Sequence, residues 1–313
     1  MARVSNWWTH TKTLLIIWFI SSLTFYSLLR MALFNASRDS PPDSSSVNVV
    51  AKDSRARLYN KMARDLHEKG ALFLKQGETS QSLSLSDIFS LKDGSVTPIL
   101  KAADPPVRAN VLHLSPQQSF PISEAVRNIF LPHFNKVIWF QNSSMYHFSM
   151  YHASHHIVPV PATAVEIEAE ANAVKAVAKT VCPLKIVLDR VVLTSTGVVL
   201  GCWQVLSGTD PVTIRAKLKT ALPRSPEKQL YDNVMLHTSF ARLLGRPNTY
   251  PKEVDKTFEL KFFDELVTRA NNQLSGFQAT VTELWYVEEY DVLALALNGR
   301  MKARKFQLGC SNA

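Results

Sequence analysis

Apolar and polar positions alternate in two rhythms along this chain, one of period two and one of period 3.6. Residues 111–114 (VLHL), 137–140 (VIWF) and 145–154 (MYHFSMYHAS) read as strands. Residues 184–206 read as two strands joined at Ser195–Gly197, and 234–244 (VMLHTSFARLL) as another. The closing run 277–297 reads as two more strands. Between them lie helical patterns: 121–134 opened by Ser123, 161–181 started by Pro161, 209–222 capped by Thr209 or Asp210, and the amphipathic 252–274. Strands come in adjacent pairs, so the sheet is expected to be largely antiparallel and the domain, 109–313, α+β.

The region before residue 109 has a different texture. Residues 13–29 (TLLIIWFISSLTFYSLL) carry no charge, and MALF continues the apolar run past Arg30. This length predicts a transmembrane anchor over 13–34, after a short tail of 1–12. A cleaved signal peptide is the rival reading, but a cut after Ala36 or Ala32 would leave Phe34 or Arg30 at the third position before it. Flanking charges lean slightly towards a cytoplasmic N-terminus, which predicts a single-pass endomembrane protein with a lumenal domain. Residues 35–108 read as a Ser/Pro-rich flexible stem (35–54), a helix over 55–76 broken at Gly70, and a turn-rich linker ending in ADPPVR. Asn142-Ser-Ser144 is a glycosylation sequon if the domain is lumenal.

The net charge of +9 favours anionic partners: phosphates, nucleic acid or a membrane surface. The three cysteines, Cys182, Cys202 and Cys310, suit neither a zinc site nor a disulfide scaffold. Cys182 and Cys202 could pair in an oxidising lumen, but they read rather as two buried free thiols. Neither the Gly-rich dinucleotide fingerprint nor the Walker phosphate loop occurs.

Four of the nine histidines fall within residues 145–156. His147-Phe-Ser149-Met recurs ninety residues later as His237-Thr-Ser239-Phe, both on expected strands. Residues i and i+2 of a strand share a face, so each motif sets an imidazole beside a hydroxyl. Two such strands facing one cleft would supply a base, an acid and hydrogen-bond donors for phosphoryl oxygens, with no metal and no cofactor. His152, on the opposite face of a regular strand from His147, is expected to stay out of the site, as are His155 and His156. Tyr151 is expected on the His147 face, where it packs or lines the cleft. Arg242 is either a phosphate contact or a solvated charge.

At these residues the chain resembles the two-histidine phosphoesterases, and is most similar to plant RNA ligase/cyclic nucleotide phosphodiesterase-like proteins. Arg242 falls where the second motif often carries a basic residue, and LDRVVLTSTGVVLGCW resembles the strand pair between motifs. The resemblance covers about residues 109–313. It implies a bilobal fold of two pseudo-symmetric lobes. It also implies hydrolysis of 2′,3′-cyclic nucleotides or of cyclic phosphates of ADP-ribose type, with a nucleotide or RNA end as partner. His147 and His237 would be catalytic, and Ser149 and Ser239 phosphate-binding. A non-catalytic module that binds phosphate or an RNA end on the same fold is the alternative.

Overall fold

The computed structural model describes residues 26, 30, 44–75, 81, 83–92, 94–248 and 256–310. The chain divides into two units, Met1–Val49 and Val50–Ala313, and both sheets belong to the second. The stretch expected to cross a membrane lies outside the described residues except for Tyr26 and Arg30. Among the described residues no helix is long and apolar enough to cross a membrane. That corrects the expectation of a single-pass endomembrane protein, and no membrane attachment enters the functional reading.

Helix α1 (Ser44–Lys69) begins within the stretch read as flexible stem. It ends where expected, at Gly70, whose φ of +72° suits a residue without Cβ. From Val50 on it belongs to the same compact unit as the sheets. Arg55 is fully buried and pairs with Asp210 at 2.9 Å. It also donates to the Val234 carbonyl at 2.7 Å. The hydroxyl of Tyr59 lies 2.8 Å from the Trp203 carbonyl and 2.7 Å from that of Leu236.

After α1 come α2 (Leu85–Ile88) and the hairpin β1 (Phe89–Lys92) and β2 (Ser95–Pro98), none of which the periodicity signalled. Strand β3 (Ala102–His113) starts inside the supposed linker. Then follow α3 (Pro116–Phe134), β4 (Ile138–Phe140), β5 (His147–Ser154) and α4 (Ala164–Ala178). Helix α4 starts three residues after Pro161, because Thr163 and Glu166 form a reciprocal capping box. The chain continues with β6 (Leu184–Leu193), β7 (Val198–Ser207), α5 (Pro211–Ala221) and β8 (His237–Leu243). It closes with α6 (Lys256–Leu274), β9 (Gln278–Val281), β10 (Glu283–Asp291), α7 (Ala294–Leu297) and β11 (Met301–Gln307).

Besides the two-stranded β1-β2 hairpin, two larger antiparallel sheets form, one in the order β11-β10-β3-β5 and one in the order β4-β8-β7-β6-β9. This is the α+β, largely antiparallel architecture expected from the paired strands. The motif strands β5 and β8 approach each other from different sheets. Their alternate residues fill the core between. Phe148 meets Trp203 edge-on at 5.7 Å, and Tyr146 meets Phe240 at 5.4 Å. A Cβ at Gly201 of β7 would collide with the Phe240 ring, so glycine is the residue that lets this aromatic seat against the sheet. Cys182 is bonded to Cys310, and Cys202 remains a buried thiol. The expectation of a free Cys182 is thus corrected: the strand-rich C-terminus returns to the start of β6.

Candidate active site

A cleft of about 500 Å³ is lined by both motifs at once: His147 and Ser149 from β5, His237 and Ser239 from β8. Helix α1 supplies part of its wall through Leu58, Lys61 and Met62. His147 donates from Nδ1 to the Met145 carbonyl at 2.8 Å, since a carbonyl can only accept. This fixes the ring and leaves Nε2 as the nitrogen free for chemistry.

Each motif strand carries a bulge just after its serine, and the bulges decide what else enters the cleft. In β5, Ser149 pairs with Val111 but Tyr151 pairs with Asn110, so Met150 is skipped. A one-residue slip exchanges faces. His152 therefore comes round opposite Ala109 and lines the cleft, while Tyr151 turns into the core and bonds Ser225 at 2.7 Å. The expectations that His152 stays out of the cleft and that Tyr151 shares the His147 face are corrected for this one reason, while the packing role read for Tyr151 holds. In β8 the pairs Ser239–Leu200 and Ala241–Val199 skip Phe240. Arg242 is thereby brought to the Ser239 face and lines the cleft. His156 also lines the cleft, against expectation, whereas His155 is spent on the Lys228 carbonyl at 3.0 Å.

Burial holds the histidines of the site neutral. Burial pushes His147 down to about 4, with the Met145 carbonyl acting in the opposite sense. Burial and the neighbouring His147 push His237 down to about 3, and His152 is pushed to about 3 by burial and His155. Burial also lowers Arg242 to about 10. One guanidinium nitrogen of Arg242, Nη1, is buried without a hydrogen-bond partner among the described residues. A cation left unpaired beside two hydroxyls and two neutral imidazoles makes a receptor for an anion.

Two residues that shape the cleft had no signal in the sequence. Tyr231 lies in the loop before β8. Its ring centroid is 4.9 Å from that of His237, and its hydroxyl accepts from the Gln81 amide at 2.6 Å and faces the Ser149 side chain. It touches both motifs at once. Arg215 of α5 is buried, and it donates to the carbonyls of Ser149, Met150, Asn233 and Met235 at 2.7–3.0 Å. It ties the bulge of β5 to the approach of β8, so one side chain sets the spacing of the two motifs.

No protein-family model matches the chain, and no curated protein matches it. Solved structures do. TT0787 of Thermus thermophilus is similar at 12% identity and a TM-score of 0.45, over 66% of this chain and 100% of that one. Escherichia coli LigT, in complex with ATP, is similar at 14% identity and a TM-score of 0.37, over 65% and 99%. A structure described as a phosphoesterase is similar at 12% and 0.37, over 65% and 98%. The functional reading rests on the cleft itself.

Proposed function

We propose that this chain is a two-histidine phosphodiesterase that opens cyclic phosphates of the nucleoside 2′,3′ type without a metal. The observation that carries the reading is that His147-x-Ser149 and His237-x-Ser239 come from two different sheets yet line one cleft, with the unpaired Arg242 beside them.

The cyclic phosphate enters as an anion. Ser149, Ser239 and Arg242 hold its non-bridging oxygens. Neutral His237 accepts a proton from water as the water oxygen attacks phosphorus. The bond from phosphorus to one ribose oxygen breaks, and His147, which takes up a solvent proton on Nε2 as the anion binds, gives that proton to the leaving oxygen. The product is a phosphomonoester beside a free hydroxyl. His147 suits the acid role, because its Nδ1–H is bonded to a carbonyl that stabilises the imidazolium. The arriving phosphate charge raises both imidazoles from their low resting values.

The test is turnover of 2′,3′-cyclic nucleotides by the full chain in excess chelator. Each of His147→Ala and His237→Ala should lose on the order of 10²–10⁴ in rate, and the double variant little more than the worse single. Turnover that chelation abolishes, or that survives both substitutions, overturns the reading. Binding of inorganic phosphate with no hydrolysis of any cyclic phosphate would leave a binding module in its place.

A further inference from the structure

Strand β10 carries three buried acidic side chains, Glu288, Glu289 and Asp291. Two have arginine partners: Arg304 holds Glu288 at 2.7 Å, and Arg300 holds Asp291 at 2.7 Å. Glu289 has none among the described residues. It is only 5% exposed, and it lines the same cleft as the two motifs. Its Oε1 accepts the Leu295 amide N–H at 2.7 Å, while Oε2 has no hydrogen-bond partner among the described residues. A buried, uncompensated carboxyl is costly. Burial holds it up to about 7, against the pull of the Leu295 amide.

The surroundings say what Oε2 would meet. Glu289 pairs across the sheet with Val107, and Val107, Ala109, Leu293 and Leu295 give the cleft an apolar wall around the carboxyl. Leu293 reaches that wall with φ of +60°, a left-handed backbone that a branched side chain rarely adopts. By register Ser149 lies opposite Val111 and Trp285, so Glu289, two strands away and four residues further along β10, is about 17 Å from it backbone to backbone. The Tyr231 phenol spans the gap. Its hydroxyl faces the Ser149 side chain, and its ionisation is opposed by the Glu289 charge. An apolar wall with one acceptor, in the same cleft as the phosphoryl-binding hydroxyls, fits a flat heterocycle that carries an N–H donor.

We propose that Glu289 is the base-reading residue of this cleft: its free Oε2 accepts a hydrogen bond from an exocyclic amino group of the substrate's nucleobase. The inference rests on the phosphodiesterase reading for its substrate, yet it concerns a different wall of the cleft. The bland role for Glu289 is to hold the Leu295 amide. Glu289→Gln separates the two, since Gln keeps an oxygen for Leu295 and replaces the other by an NH₂ donor.

The experiment compares kcat/KM for guanosine against inosine 2′,3′-cyclic phosphate, and for adenosine against purine riboside 2′,3′-cyclic phosphate. Each pair differs by one amino group. The wild type should prefer the amino-bearing member of at least one pair by about 10- to 100-fold, and Glu289→Gln should erase that preference at a melting temperature no lower than that of the wild type. Equal rates within both pairs, a preference that survives in the variant, or an equal loss on all four compounds overturns the proposal. The same pairs are titrated as 3′-monophosphates by calorimetry. If no cyclic phosphate is turned over but the binding preference is present and lost in the variant, the phosphodiesterase reading fails and the base-reading role stands.

Discussion

His152 and Arg242 occupy matching places in the two motif strands. Each lies five residues after a motif histidine, and each is turned onto the cleft face by a bulge that skips the residue after the serine, Met150 in β5 and Phe240 in β8. The two halves of the site therefore repeat a longer unit than His-x-Ser: imidazole, hydroxyl, bulge, polar side chain. They differ in what the last position offers. Arg242 keeps its charge, whereas His152 is held neutral at any ordinary pH.

That difference sets the first prediction. Arg242→Ala removes a charged donor from the anion site and should weaken inhibition by inorganic phosphate by about 10- to 100-fold. His152→Ala removes a neutral donor and should weaken it by less than about tenfold. Competitive inhibition constants for the two variants check the order. Equal effects would mean that the charge of Arg242 does not set the two positions apart.

Arg215 gives the second prediction. It satisfies four carbonyls and has no carboxylate partner among the described residues. Arg215→Met would leave these buried acceptors unpaired at the junction of β5 and β8. The expected loss is at least about 3 kcal/mol of unfolding free energy, read by urea titration. Arg215→Lys, with three donors on a point charge, should recover only part of it. Because the loss falls where the motifs are spaced, kcat/KM should drop even in the Lys variant at temperatures where it is fully folded.

The period-two pattern sufficed for strands whose two faces differ, and so His147, Ser149, His237 and Ser239 were legible from spacing alone. The errors at Tyr151 and His152 share one cause. Alternation was counted through a bulge, and nothing in FSMYH marks the skipped residue. Strand β11 (MKARKFQ) carries four charges or amides in seven residues and lies at a sheet edge, so it lacks the apolar alternation of an inner strand. Tyr231 and Arg215 act across long separations, Tyr231 from a loop without periodicity and Arg215 from a helix whose charged positions normally face solvent. Glu289 looked like one of several acids in YVEEYD; only the arginine partners of its neighbours single it out.

Helix α1 sets the third prediction. A fragment beginning near residue 105, the natural cut if the domain started at 109, would lose Arg55 and Tyr59. Asp210 would then be a buried carboxylate with no cation, and the cleft would lose the wall made by Leu58 and Met62. Breaking a buried pair in this way costs about 3–5 kcal/mol, a large share of a domain's stability. The fragment 105–313 should be insoluble or unfolded by circular dichroism, and 50–313 should show a cooperative transition. A folded and active 105–313 would show α1 to be dispensable.

The last prediction concerns pH. The folded protein holds His237 and His152 near 3, against about 6.5 in an unfolded chain. Between these values the unfolded state binds more protons than the folded one, so stability rises with pH in this window and falls as the solution is acidified from 6.5. Glu289 acts in the opposite sense. Its pKa of about 7 lies above that of a free carboxyl, so acidification relieves its buried charge. Two histidines, joined by the similarly lowered His147, outweigh one glutamate, and unfolding free energy should drop between pH 6.5 and 5. His237→Gln removes one share of that drop, up to about 2 kcal/mol over this interval. Urea titrations of wild type and variant at the two pH values measure the share directly. An unchanged drop in the variant would mean that His237 titrates normally, and the cleft would then be far wetter around the motif histidines than its packing indicates.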